Sequence, residues 1–166
     1  LFRSRSYAES DRFGISKYMR DGFLSNEKEH ESASKTMEYA YDDWCIAQMA
    51  QKLGQPKDEA YYNKRAQSYK NMFDASTGFM RPRKNGNWLS PFDASEVNNH
   101  FTEANSWQYS FFVPQDVDGL IKLHGGDAAF EKKLDELFST WQPREKFEFV
   151  NVNKVEDRIV KHELLY

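Results

Sequence analysis

Carboxylates are the side chains of this sequence with the most chemistry to offer, and their spacing limits what they can do. Asp42 and Asp43 are adjacent in a stretch of helical periodicity, so their side chains diverge by about 100° and cannot grip one ion as carboxylates four apart can. They read as structural, partnered by Arg81, by Arg83 or by an irregular loop. Glu103 stands just ahead of a possible helix start, where an acidic residue ordinarily accepts backbone hydrogen bonds or complements the helix dipole. Asp93 and Asp116 offer oxygen to a hard cation, but calcium takes about six to eight oxygens and no dense acidic loop occurs. Metal ligands therefore stay unassigned. His30, His100, His124 and His162 lack the mutual spacing of a zinc site, and the single cysteine, Cys45, permits neither an internal disulfide nor a cysteine-based metal site.

Arg81 and Arg83 flank Pro82 and alternate, so in an extended segment only one of them faces a given side. Trp88 and Trp107 carry flat apolar faces whose ordinary role is to anchor a core. Burial must rest on such rings: 16% of the 166 residues are aromatic, which also argues against disorder. Net charge is −3 with both signs mixed along the chain, which speaks against nucleic acid as a partner. No apolar run approaches the roughly 20 residues of a bilayer span, and the first residues lack the apolar middle of a signal peptide. The expectation is a soluble, untargeted chain, and the initial Leu1 hints that something has been removed.

Helices must position these groups. Over Ser32 to Leu53, the residues Met37, Ala40, Tyr41, Trp44 and Ala47 recur at helical spacing, widened by Ile46, Met49 and Leu53. Ser32 or Ser34 can cap the start, Gly54 can take the left-handed position beyond the end, and Pro56 blocks continuation. A second helix, about Lys57 to Phe73, aligns Tyr62, Ala66, Tyr69 and Phe73, and the short connection predicts an antiparallel hairpin. From Asp74 to His100 the period disappears, and Gly78, Pro82, Gly86 and Pro91 break the segment into turns. A loop of this length usually builds a site. A helix is expected to start within 105–112, a second to open at Pro114 and Asp116, and a last one, capped by Asp127, to run to Pro143. Beyond it, Phe147 to Val150 alternates like a strand, and Val155 to Leu165 has helical character.

Three stretches taken together are similar to family-92 glycoside hydrolases, in matching order: Ser-Lys-Thr-Met-Glu-Tyr-Ala-Tyr-Asp-Asp-Trp at 34–44, Gly-Phe-Met-Arg-Pro-Arg at 78–83, and Thr-Glu-Ala-Asn-Ser-Trp-Gln-Tyr at 102–109. The last continues into Phe-Val-Pro-Gln-Asp-Val-Asp-Gly-Leu-Ile at 112–121, so the likeness covers roughly Tyr18 to Phe138. It implies a mainly α fold of antiparallel helix hairpins, part of an α/α six-hairpin barrel (toroid), with one long irregular loop. Residues 1–143 would be a partial barrel segment and 144–166 a divergent tail.

The resemblance further implies an enzyme that hydrolyses α-linked mannose with inversion and with calcium in its site. Inversion needs a protonated carboxyl to donate to the leaving oxygen and a carboxylate, roughly 6.5–9.5 Å away, to activate water. Glu103 matches the family's acid position, and nearby Trp107 could hold it in low dielectric and keep it protonated. Trp107, Asn105 and Arg81 are the residues expected to bind substrate. The Asp- and Gly-rich segment that supplies the base in the family has no counterpart here, so the chain is expected to be an inactive fragment on its own. The competing reading is a non-catalytic helical-hairpin interaction module that retains the scaffold. The expected partner is a mannose-containing glycan, the implied location secreted or periplasmic, and an incomplete barrel flank predicts self-association.

Overall fold

The structure, a computed structural model, describes residues 10 and 12–140. The expected strand and helix within 146–166, the tail and Pro143 lie outside the described residues. Helix α1 (Ile15–Asp21) is bracketed by Gly14 and Gly22, both left-handed, and buries Ile15 and Tyr18. A side chain on Gly22 would need space already held by the Asn71 amide, which donates to the Gly22 carbonyl.

Helix α2 (Ser32–Lys52) is the spine. Small residues on its buried face, Ala33, Ala40, Ala47 and Ala50, let neighbouring backbones approach, and Met37 fills the space between them. The expected stripe is only half right. Tyr41 and Trp44 are partly exposed, Met49 and Leu53 exposed, and the centre of the buried face is Asp43. Its N-terminus also differs from expectation, because neither serine caps it. The cap position is Glu31 in left-handed conformation with no side-chain bond, and the Ala33 and Ser34 N–H groups donate to the His100 carbonyl. Backbone from a distant loop thus satisfies donors that a local side chain usually takes.

At the other end Gly54 is left-handed (φ 61°), Gln55 N–H returns to the Ala50 carbonyl, and Pro56 opens helix α3 (Pro56–Arg65) at its first turn. The two helices run antiparallel: Gln51 meets Glu59, Ile46 and Ala47 pack on Tyr62, and Asp43 meets Arg65. After Arg65 the chain tightens into a 3-10 helix, Ala66–Met72. Three residues per turn put Ala66, Tyr69 and Met72 in one line, and all three are buried.

The irregular segment is built from two small antiparallel ladders, β1 (Phe73–Asp74) with β2 (Phe79–Met80) and β3 (Arg83–Lys84) with β4 (Asn87–Trp88). Short helices α4 (Ser106–Tyr109) and α5 (Val117–Leu123) follow, then α6 (Asp127–Thr140). Asp116 caps α5 by accepting from Gly119 N–H, as its position predicted. Met37, Ala40, Tyr69, Met72, Phe73, Met80, Phe101, Val113 and Leu120 share one core, so residues from α2 to α5 are fixed together.

Candidate functional site

Glu103 sits at a knot of backbone anchors. Phe101 is buried in the core, and the next N–H, that of Thr102, donates to Ser34 Oγ at 2.6 Å. On the other side Ala104 is buried and Asn105 forms a capping box with Gln108: Asn105 Oδ1 accepts from Gln108 N–H while Gln108 Oε1 accepts from Asn105 N–H. Ser106 Oγ then donates to the Met80 carbonyl at 2.6 Å, and Ser110 Oγ accepts from Met80 N–H at 2.8 Å. Between these anchors Glu103 adopts a left-handed conformation (φ 51°) and its side chain is exposed. Left-handed backbone costs a residue with a Cβ about 1–2 kcal/mol, a strain often found where a side chain is aimed for function. Asn105, not Glu103, caps the helix.

The other expected substrate residues are engaged. Trp107 packs edge-on against Phe79 (4.6 Å between centroids), and its backbone N–H donates to the Ala94 carbonyl. The ring packs on β2 while the backbone holds the irregular loop, and Glu103 remains exposed within this chain instead of buried beneath the ring. Asn105 donates its side-chain amide to the Ser95 carbonyl. Arg81 donates to Asp74 at 2.9 Å and, through two nitrogens, to the Leu89 carbonyl, with its guanidinium over Phe92. Arg83 lies 3.4 Å from the Trp88 ring centroid and donates to the Asn71 carbonyl. Neither arginine meets Asp42 or Asp43. Those aspartates belong to a different network: Asp43, fully buried, receives Arg12 at 2.9 Å, Arg65 at 2.6 Å and the Tyr18 hydroxyl at 3.1 Å, and Asp42 receives Arg12 at 3.3 Å.

Sequence reasoning missed a half-buried carboxylate. Glu38 of α2 accepts a hydrogen bond from the Tyr109 hydroxyl at 2.9 Å and, with Gln108 and Phe112, lines an open cavity of about 230 Å³. Burial pushes the Glu38 carboxyl above its ordinary range; the Tyr109 bond and Lys35 pull it down, and Asp42 and Glu31 add to the rise. The Tyr109 hydroxyl is raised by burial and by Glu38. Glu38 and Ser34 stand one turn apart on α2, and Ser34 Oγ accepts the Thr102 N–H that leads into Glu103. The Glu38 cavity and the Glu103 turn therefore share one scaffold. A signal was present in the sequence, in that Glu38 falls within the same motif as Asp42, but nothing local marks it as buried.

The carboxylates considered for a cation have hydrogen-bond partners within the chain. Asp93 accepts from Ser95 N–H, and Asp116 holds the α5 cap, the Tyr69 hydroxyl at 2.8 Å and Lys70. Among the described residues no three His, Cys, Asp or Glu side chains come together as a metal-binding group, so these residues do not fit a calcium site by themselves.

Comparison with known proteins gives a consistent set. The family model described as the glycosyl hydrolase family 92 catalytic domain matches residues 3–163. A curated protein from Arthroderma benhamiae, an uncharacterized secreted glycosidase, is 32% identical over an alignment of 130 residues, and the match covers 64% of this chain and 17% of that protein. Among solved structures, a family GH92 α-mannosidase from Bacteroides thetaiotaomicron superposes with a TM-score of 0.78 at 42% identity, covering 82% of this chain and 19% of its own; it has also been solved with mannoimidazole. An inverting GH92 mannosidase from the same organism gives 0.73 at 37% identity, covering 75% and 17%. The chain thus spans about a fifth of the length of these relatives.

Proposed function

Starting from the fact that this chain belongs to the glycosyl hydrolase family 92 catalytic domains, we propose that it is a segment of an inverting, calcium-dependent α-mannosidase, with Glu103 as the general acid. One observation carries the assignment of the acid: the family-matched glutamate is the exposed, left-handed residue between two fixed anchors, Ser34 and the Asn105 capping box. Such a turn aims a carboxyl outward while its backbone cannot drift. In this role the protonated carboxyl gives its proton to the glycosidic oxygen as the bond to the anomeric carbon breaks, and water, deprotonated by a carboxylate on the opposite face, attacks that carbon.

The base and any calcium ligands are assigned to parts of the catalytic domain outside the described residues. Trp107, Asn105 and Arg81 support catalysis by holding the loop around Glu103, and direct contact with substrate is a secondary role for them. The proposed substrate is an α-linked mannose at the end of a glycan. An extracytoplasmic location is supported by the secreted relative; no described helix is long and apolar enough to cross a membrane.

The test is hydrolysis of an activated α-mannoside by this chain with calcium and with chelator, beside Glu103→Gln. No turnover is expected from the chain alone, whereas the longer catalytic domain carrying this segment is expected to turn over with calcium and to lose activity with Glu103→Gln. Full activity of that substitution on an unactivated mannoside would remove Glu103 from the acid role.

A further inference from the structure

We propose that the cavity bounded by Glu38, Gln108, Tyr109 and Phe112 is a saccharide-binding point, taking a sugar ring through the Glu38 carboxylate, the Gln108 amide and the face of Phe112. The inference rests on reading the chain as a glycosidase segment and adds a contact separate from the acid.

The cavity, about 230 Å³, has room of the order of one pyranose ring. Its chemistry is selective. Glu38 is half-buried, yet it accepts its hydrogen bond from the neutral Tyr109 hydroxyl; the nearby Lys35 is committed to Glu29 at 2.6 Å. A carboxylate has about four acceptor sites, so capacity remains for a ligand. Gln108 spends its oxygen on Asn105 N–H, which leaves its NH₂ group as a donor at the same cavity. An acceptor and a donor side by side suit a ligand whose groups both donate and accept, and adjacent sugar hydroxyls do both. A bare cation would meet the acceptor but would be opposed by the amide hydrogens. Phe112, 36% exposed, supplies the flat apolar surface that the C–H face of a pyranose favours.

Covering the cavity with apolar protein is the competing use, and it is disfavoured because Glu38 would then be enclosed without a charge partner. Position strengthens the case. Glu38 stands one helical turn from Ser34 on α2, Ser34 Oγ accepts the Thr102 N–H at 2.6 Å, and Thr102 precedes Glu103, so the cavity and the turn that presents the acid are fixed to the same stretch of α2.

The experiment titrates the chain with methyl α-mannoside and with an α-linked mannobiose, followed by NMR, for the unmodified chain, Glu38→Gln, Phe112→Ala and Glu59→Gln, a carboxylate of α3 outside the cavity. Millimolar binding is expected, with the largest shifts at Tyr109 and Phe112. Each of Glu38→Gln and Phe112→Ala is expected to weaken it about tenfold, and Glu59→Gln to leave it within about twofold of the unmodified chain. Phe112 is exposed, so its truncation leaves the fold in place even if Glu38→Gln proves unstable by thermal melting. Binding that ignores both substitutions, or absence of binding at high millimolar sugar, overturns the proposal. The acid reading is judged separately by turnover, since a chain that binds at Phe112 while Glu103→Gln keeps full hydrolysis in the longer domain loses the acid and keeps the cavity.

Discussion

Glu103 is held in a conformation that its side chain resists, and this has a measurable consequence. Left-handed backbone costs a non-glycine residue about 1–2 kcal/mol, whereas glycine is free of that cost but gives up roughly 0.5–1 kcal/mol of extra chain entropy on folding. Glu103→Gly is therefore expected to stabilise the chain by about 0.5–1 kcal/mol, a rise in Tm of roughly 1–4 °C for a chain of this size. Glu103→Ala, which keeps the Cβ, should give no such rise, and thermal melting of the two variants side by side checks it. A gain in stability where a family-matched acid is deleted is the signature of a residue kept for function. Glu103 was legible in the sequence through its motif, although not its backbone: nothing in Thr-Glu-Ala-Asn announces a left-handed glutamate when glycine is the usual choice. Glu38 was illegible for another reason. Its burial depends on Tyr109, 71 residues later, and a glutamate in a helix is otherwise expected to face water.

At the scale of elements, the long helix and the hairpin were legible because their signals are local: apolar spacing, a Gly-Gln-Pro connection, and an aspartate placed to cap α5. The caps and the buried face were not, because partners from elsewhere decide them. His100 supplies the carbonyl that holds the α2 N-terminus, and Arg12 and Arg65 turn Asp43 from a surface charge into the centre of the buried face. That network joins α2, the start of the chain and α3, and Tyr18 and Tyr39 pack against its arginines. Removing one member of a buried charge network leaves the others desolvated and unpaired. Asp43→Ala should therefore cost about 3–5 kcal/mol, read as a lowered urea midpoint. Asp42→Ala, at a half-exposed carboxylate beside the same Arg12, should cost no more than about 1 kcal/mol. Equal losses for the two neighbours would mean that Asp43 is not the joint between the helices.

For the molecule as a whole, the question is what covers the side of α2 turned away from α3. Tyr41 stacks on Trp44 at 5.9 Å, so two partly exposed rings lie side by side, and Met49 and Leu53 lie exposed towards the end of the same helix. Scattered apolar side chains on a surface are ordinary, but joined rings indicate a contact. A second copy of the chain presents the same rings, and it is the partner we propose for this face. We therefore expect concentration-dependent self-association. Light scattering should show the mass rising from the 19.6 kDa monomer towards the dimer, with Trp44→Ser returning it to the monomer. Glu38→Gln is the control that separates the two uses of this side of the molecule: it should weaken sugar binding and leave the mass unchanged. A mass that stays at the monomer up to the highest soluble concentration would mean that the rings are no docking face, and that α2 needs no neighbour to cover them.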